Sequence, residues 1–243
     1  MPSSAKLRQG ARRPAAVLLA LACGAWTFAQ VAERPVPPQP ESPEPEAESQ
    51  RLAAKEALLE SLKSLDRGFA ATEAERSRVS EQIDELVQWN PTTAPARLGG
   101  NWTLLYTDAP DILNIPTSPL ASLGRIGQEI NAEKGVIANV IEYRPSPLAV
   151  GLKASALEDT LVQRVFTEYK VTSGSKVELN IKGLGLDPQR VLGYDLPEAL
   201  KLTLQGPLTL PFGNFEILYL DDEIRIVRTG QGWYSVNRRG AFG

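Results

Sequence analysis

The chain has 243 residues, 42% of them hydrophobic, and a formal net charge of −3. That is enough apolar material for one substantial core, and the charge balance lacks the basic footprint of a nucleic-acid-binding protein. Histidine is absent and the one cysteine is Cys23, which excludes Ser-His-Asp and Cys-His catalysis, HExxH and Cys/His zinc sites, and a disulfide framework.

In chain order, Lys6, Arg8, Arg12 and Arg13 make the first segment basic, and AAVLLALACGAW follows at 15–26. That run is shorter than the roughly 20 apolar residues of a membrane-crossing helix and has the form of a signal-peptide core. Cleavage is expected near Thr27–Phe28, where Ala25 and Thr27 take the small-residue places. The segment AWTFAQ resembles the Ala-Phe junction of bipartite plastid presequences, in which a transit peptide beginning with Phe follows a signal peptide. Ordinary secretion is the competing reading. A bacterial lipobox at Ala20-Leu21-Ala22-Cys23 is a third, poorly matched at Leu21. Residues 31–47 are rich in Pro and Glu and cannot bury apolar area, so a solvated spacer or the rest of a transit segment is expected. The expected domain division is a presequence and linker over 1–48 and one folded domain over 49–243.

Two amphipathic helices open that domain. Leu58, Leu62, Leu65 and Phe69 recur at helical spacing and predict a helix over 50–68, stopped at Gly68. A second begins at Thr72, where Thr72 and Glu75 form a capping box. Val79, Ile83, Leu86 and Val87 make its stripe, and Asn90-Pro91 ends it. Their polar faces mix both charges, which favours packing on the following domain over lying in a membrane surface.

Beyond residue 98 the period becomes two. Strands are expected at 101–108, 123–131, 136–143, 161–171, 176–183, 200–205, 214–220, 223–228 and 232–237. This pattern predicts a mainly β fold, an antiparallel barrel preceded by the two helices; about eight strands close around one small ligand. Insertions at 144–160 and 184–199, which hold prolines, are expected to cover a mouth.

LGGNWTLLYT at 98–107 resembles the opening motif of the plastid lipid-associated protein (PAP)/fibrillin family, L-x-G-x-W-x-L-L-Y-T. GRIGQEI at 124–130, VIANVIEY at 136–143 and YLDDEIRIVRTGQGWYSV at 219–236 follow in that family's order. Thr229 stands where the family has Gly, and Ser235 where it has a late Phe. The resemblance implies a lipocalin-like barrel, a plastid location at thylakoids or plastoglobules, and binding of prenylquinones, carotenoids or fatty acyl compounds.

Gly100-Asn101-Trp102 is also similar to the G-x-W that opens lipocalin barrels, in which an Arg of the last strand lies over the Trp. By that likeness Trp102 and Arg225 are expected to stack and close one end. Alternation from Trp102 places Leu104 and Tyr106 on the inward face and Leu105 toward the helices. Ile126, Ile130, Val140, Phe166, Leu204 and Leu218 are taken as inward on the other strands. These eight are the candidate lining for an apolar ligand; they would equally fill a solid core. No metal or cofactor is expected. Asp221-Asp222-Glu223 reads as an acidic turn in preference to a calcium site, since three consecutive strand residues do not face one ion. Gly183-Leu184-Gly185 lacks the Lys-Ser/Thr and helix of a phosphate loop.

Three functions are compatible with this reading. The first is a non-catalytic binder of apolar molecules. The second is a coat or accessory protein of lipid particles or prenyl-lipid synthesis, with a solid barrel. The third is a carotenoid-modifying enzyme using carboxylates such as Asp108 or Glu142, although no pair of them stands out.

Overall fold

A computed structural model describes residues 45–92, 94–115, 121–146, 159–191 and 194–240. The chain divides into two compact units, Met1–Glu41 and Ser42–Gly243, and all the described residues belong to the second. Residues 1–44 of the expected presequence and spacer, and most of the 144–160 insertion, lie outside the described residues; residues 45–48, expected as linker, open the first helix.

Helix α1 spans Pro45–Leu62 and helix α2 spans Glu73–Val87. The capping box forms: Thr72 Oγ1 accepts from the Glu75 amide at 3.3 Å, and the Glu75 carboxylate accepts from the Thr72 amide at 2.8 Å. Thr72→Ala is expected to cost about 1 kcal/mol, read as a lower midpoint in urea unfolding. Helix α1 ends at Leu62 and not at 68, because Asp66, Arg67 and Gly68 take φ of 41°, 62° and 101°. A right-handed helix cannot run through left-handed residues. Only glycine fits at 68, where a Cβ would stand 2.0 Å from the Thr107 carbonyl oxygen. That close approach lets the Thr107 amide donate to the Arg67 carbonyl at 3.0 Å and ties the interhelical turn to the sheet.

The strands are β1 (Gly100–Thr107), β2 (Ala121–Asn131), β3 (Val136–Pro145), β4 (Thr160–Ser173), β5 (Lys176–Val191), β6 (Tyr194–Asp195), β7 (Leu202–Leu220), β8 (Ile224–Thr229) and β9 (Tyr234–Arg239). All their pairings are antiparallel. The sheet order β4-β3-β2-β1-β9-β8-β7-β5, with β4 also paired to β5, closes an eight-stranded barrel, and the short β6 hangs on β5. The expected strands 200–205 and 214–220 are therefore one strand, and 176–183 runs on to Val191. Residues 184–191 belong to the wall and do not cover a mouth. Pro188 of the 184–199 insertion and Pro211 of β7 sit beside free strand edges, while Pro197 lies outside the strands, just before the turn Glu198–Leu200. Pairing of β5 with β7 stops at Leu186–Leu202, short of Pro188, and pairing of β7 with β8 begins only at Phe215, past Pro211. A proline beside a free edge forfeits no ladder bond there.

Two main apolar clusters hold this together. Leu58, Leu62, Leu65, Val79, Ile83 and Leu86 of the helical hairpin pack on Tyr106, Tyr219, Ile224, Ile226 and Val236. The other face of those strands joins a second cluster, in which Trp102, Ile130, Ile137, Val177, Phe215, Ile217 and Val227 come together from β1, β2, β3, β5, β7 and β8. Residues from strands on opposite sides of a barrel meet only inside it, so this is the inner face. Each fully buried large side chain contributes about 1.5–3 kcal/mol. The hairpin thus plugs the outside of β1, β7, β8 and β9, while the second cluster fills one end of the interior.

Candidate functional site

The filled end is built on Trp102, which is fully buried and donates from Nε1 to the Leu98 carbonyl at 2.7 Å. Two guanidiniums lie over its ring. That of Arg225 is 4.8 Å from the ring centroid and that of Arg239 is 4.1 Å away. Arg239, absent from the sequence-based expectation, is the register partner of Trp102 on β9 and donates to the carbonyls of Gly99 and Arg97 at 2.7 and 2.8 Å. The Arg238-Arg239 pair, at the end of the strand that returns to Gly-x-Trp, was the available signal.

Arg225 is differently placed. It is 1% exposed and donates from Nη2 to Gln128 Oε1 at 2.6 Å, and Gln128 Nε2 donates onward to Asn139 Oδ1 at 2.8 Å. Arg225 Nε and Nη1 and Asn139 Nδ2 are buried with no hydrogen-bond partner among the described residues. Burial, and then the positive charge of Arg239, push the Arg225 pKa below the usual arginine range.

The eight expected lining residues divide by register. Leu104, Ile126 and Ile130 share the inner face with Trp102 and are buried. Leu204 is also on that face, through Ile137–Thr167, then Val165–Leu184, then Leu184–Leu204, but it is 59% exposed. The other four were misassigned. The ladder with β9 shifts register between Leu104 and Tyr106, and this bulge turns Tyr106 into the helix cluster. Burial, and then the Asp108 charge, push the Tyr106 hydroxyl up to about 12. Val140 and Phe166 lie on the opposite face, since Ile137 and Asn139 are the inward residues of β3 and Phe166 pairs with Ala138. They form a small cluster with Ala138 and Val162 there. Leu218 is the bulged residue between inward Ile217 and helix-facing Tyr219.

A cavity of about 390 Å³ is lined by residues of that opposite face, Val140 and Val162 among Arg125, Glu129, Glu142 and Arg164. Its charges compensate one another: Arg125 pairs with Glu142 and Arg164 with Glu129, each at 3.0 Å. Glu142 also binds Arg144, and Asp108, its pKa raised by burial, accepts from the Tyr234 amide at 2.7 Å. The acidic triplet is likewise engaged. Asp221 accepts from the amides of Glu223 and Ile224 at 2.8 and 2.7 Å, Asp222 pairs with Arg97, and Glu223 pairs with Lys55 at 2.8 Å. Among the described residues no acidic cluster has the form of a metal site, and no helix is long and apolar enough to cross a membrane.

The model of the PAP_fibrillin family matches residues 52–237, both helices and nearly the whole barrel. The chain belongs to the PAP/fibrillin family. It is similar to a probable plastid-lipid-associated protein 3, chloroplastic, of Arabidopsis thaliana (28% identical over 77% of this chain and 58% of the relative). It is also similar to plastoglobulin-1, chloroplastic, of Pisum sativum (29%, over 72% and 50%). A plastid-lipid-associated protein, chloroplastic, of Citrus unshiu is 30% identical over 79% of this chain and 68% of its own length. The chain thus spans 50% to 68% of the length of these relatives. No solved structure matches it. With this PAP/fibrillin kinship the protein is placed in the plastid.

Proposed function

We propose that the protein binds or carries small apolar molecules (prenylquinones, carotenoids or fatty acyl compounds) at thylakoids or plastoglobules, and that it catalyses no reaction. The observation that carries this reading is the inner face beyond the filled end. Leu161, Leu184, Leu202 and Leu204 share that face by register and are 38%, 38%, 51% and 59% exposed. Leucines at that exposure, gathered on one face, are what an apolar ligand would cover. The relatives named for plastid lipid support the same assignment. The absence of histidine and the pairing of Glu142 favour binding without chemistry.

The test is direct. Full-length protein is purified, extracted with organic solvent and analysed by mass spectrometry, then offered a quinone and a carotenoid. Stoichiometric ligand is expected. Leu204→Lys should weaken uptake roughly tenfold or more, because an apolar ligand would have to desolvate the new charge. Folding should be unaffected at so exposed a position. No extracted molecule and no uptake would sink the carrier reading; flotation with lipid particles in that case would instead indicate a coat protein.

A further inference from the structure

The inner-face rungs between β2 and β3 change character in sequence. Ile130 pairs with Ile137 in the filled end, Gln128 pairs with Asn139 on the next rung, and Ile126 pairs with Ile141 beyond it. A polar floor thus lies between the packed end and the upper barrel, whose inner face is mostly leucine and isoleucine, with Gln163 bonded to Tyr143 among them. Arg225 reaches that floor from β8, three strands away, through its bond to Gln128. Among the described residues no carboxylate compensates it: Arg239, another cation, is its charged neighbour. A guanidinium does not shed its proton at neutral pH. A buried cation without a counter-ion is costly, and each buried N–H without an acceptor adds to that cost.

We infer that the barrel binds a long-chain carboxylate, with its head on the floor made by Arg225 and Asn139 and its tail along the apolar wall above. This rests on the reading that the interior takes an apolar molecule, and it names the head group. Three orphaned donors, Arg225 Nε, Arg225 Nη1 and Asn139 Nδ2, call for an acceptor-rich group. Arg239 already commits Nη1 and Nη2 to the Gly99 and Arg97 carbonyls, so the cation with free donors is Arg225, and one negative charge matches it. A neutral carbonyl or a water supplies acceptors but leaves the charge unbalanced. A phosphate carries up to two charges and exceeds what Arg225 neutralises. The site is buried, so binding is insensitive to salt, unlike capture by exposed Arg97.

The test compares oleate, methyl oleate and squalene for binding to the full-length protein, below the micellar concentration of oleate and at two salt concentrations. Oleate is expected to bind 10- to 100-fold more tightly than its methyl ester, which lacks the charge-assisted hydrogen bonds. Oleate carrying ¹³C in its carboxyl group should remain ionised when bound at a pH where free oleate protonates. Arg225→Met should erase the preference for oleate over the ester while raising the thermal midpoint of the ligand-free protein. If Arg225→Met does not fold, the ester comparison on the unaltered chain decides alone. Equal affinity for oleate and methyl oleate, or oleate binding abolished by salt, overturns the inference and leaves the apolar carrier standing. Failure of all three compounds to bind overturns the inference; if the quinone and the carotenoid also fail to bind, the carrier reading falls with it.

Discussion

Trp102→Ala is expected to destabilise the protein by about 3–5 kcal/mol, the range for truncating a fully buried large aromatic. Trp102 is at the bottom of the interior, and two guanidiniums rest on it. Its loss removes a core volume, the Nε1 bond to Leu98 and both cation–π contacts, each of which contributes roughly 0.5–2 kcal/mol. It also exposes Arg225 to a void in which its charge has no platform. Trp102→Phe keeps most of the apolar volume and a ring face, so it should cost less than alanine. Thermal and urea unfolding of the two variants measure this; a midpoint unchanged in Trp102→Ala would show that this end of the barrel is not built on the indole.

Asp221→Ala is expected to have an effect of similar size, about 3–5 kcal/mol, because it strands buried partners of a charge network. Asp221 is 8% exposed. Its carboxylate receives Arg51 Nη1 at 3.1 Å, Lys55 Nζ at 2.9 Å and the Tyr219 hydroxyl at 2.9 Å, besides the two amides of its own turn. Both cations come from α1, so one carboxylate fastens that helix to the β7–β8 turn. Burial alone would raise its pKa. The Ile224 amide, Lys55, the Glu223 amide and Tyr219 outweigh burial and hold it at about 2, below the ordinary 3.8. A carboxyl depressed in the folded state binds fewer protons than in the unfolded chain. Its contribution is complete above about pH 4 and is lost as the pH falls toward 2, in total roughly 2 kcal/mol. Urea midpoints measured from pH 5 to 2 should therefore fall for the unaltered protein and be flatter for Asp221→Ala. Parallel curves would exclude this carboxylate as the source, and limited proteolysis of the variant should cut first within α1.

Much of this architecture was legible in the sequence because local rules and tertiary structure agree there. Thr72 and Glu75 make their box, the two leucine and isoleucine stripes find the barrel, and the strands appear where the period becomes two. The inner face was read correctly at Leu104, Ile126 and Ile130, which lie in uninterrupted alternation with Trp102 or its rung partner. It was misread wherever a bulge intervenes, since one extra residue exchanges the faces: Tyr106 after Leu105, and Leu218 between Ile217 and Tyr219. Val140 and Phe166 show a different failure. Choosing apolar residues for the interior passes over Asn139 and Gln128, inward polar residues that periodicity alone assigns to solvent. Arg239 was missed because its contact with Trp102 depends on the register of β9 against β1. Joining 200–205 to 214–220 required knowing that Pro211 lies beside a free edge.

That free edge determines the shape of the opening. Among the described residues, β8 and β9 each have six, β1 has eight, and β7 has nineteen. At about 3.4 Å per residue the wall made by β8 and β9 is roughly 20 Å tall, while β7 and its neighbour β5 rise well above it. The rim is slanted, like a scoop and not a cup. A vessel of uniform depth measures the length of what it holds; one whose wall is missing on a side does not. If the barrel takes an apolar ligand, as proposed, tails of unequal length would lie against the tall wall and protrude past the low one, and discrimination among ligands would fall to the enclosed end.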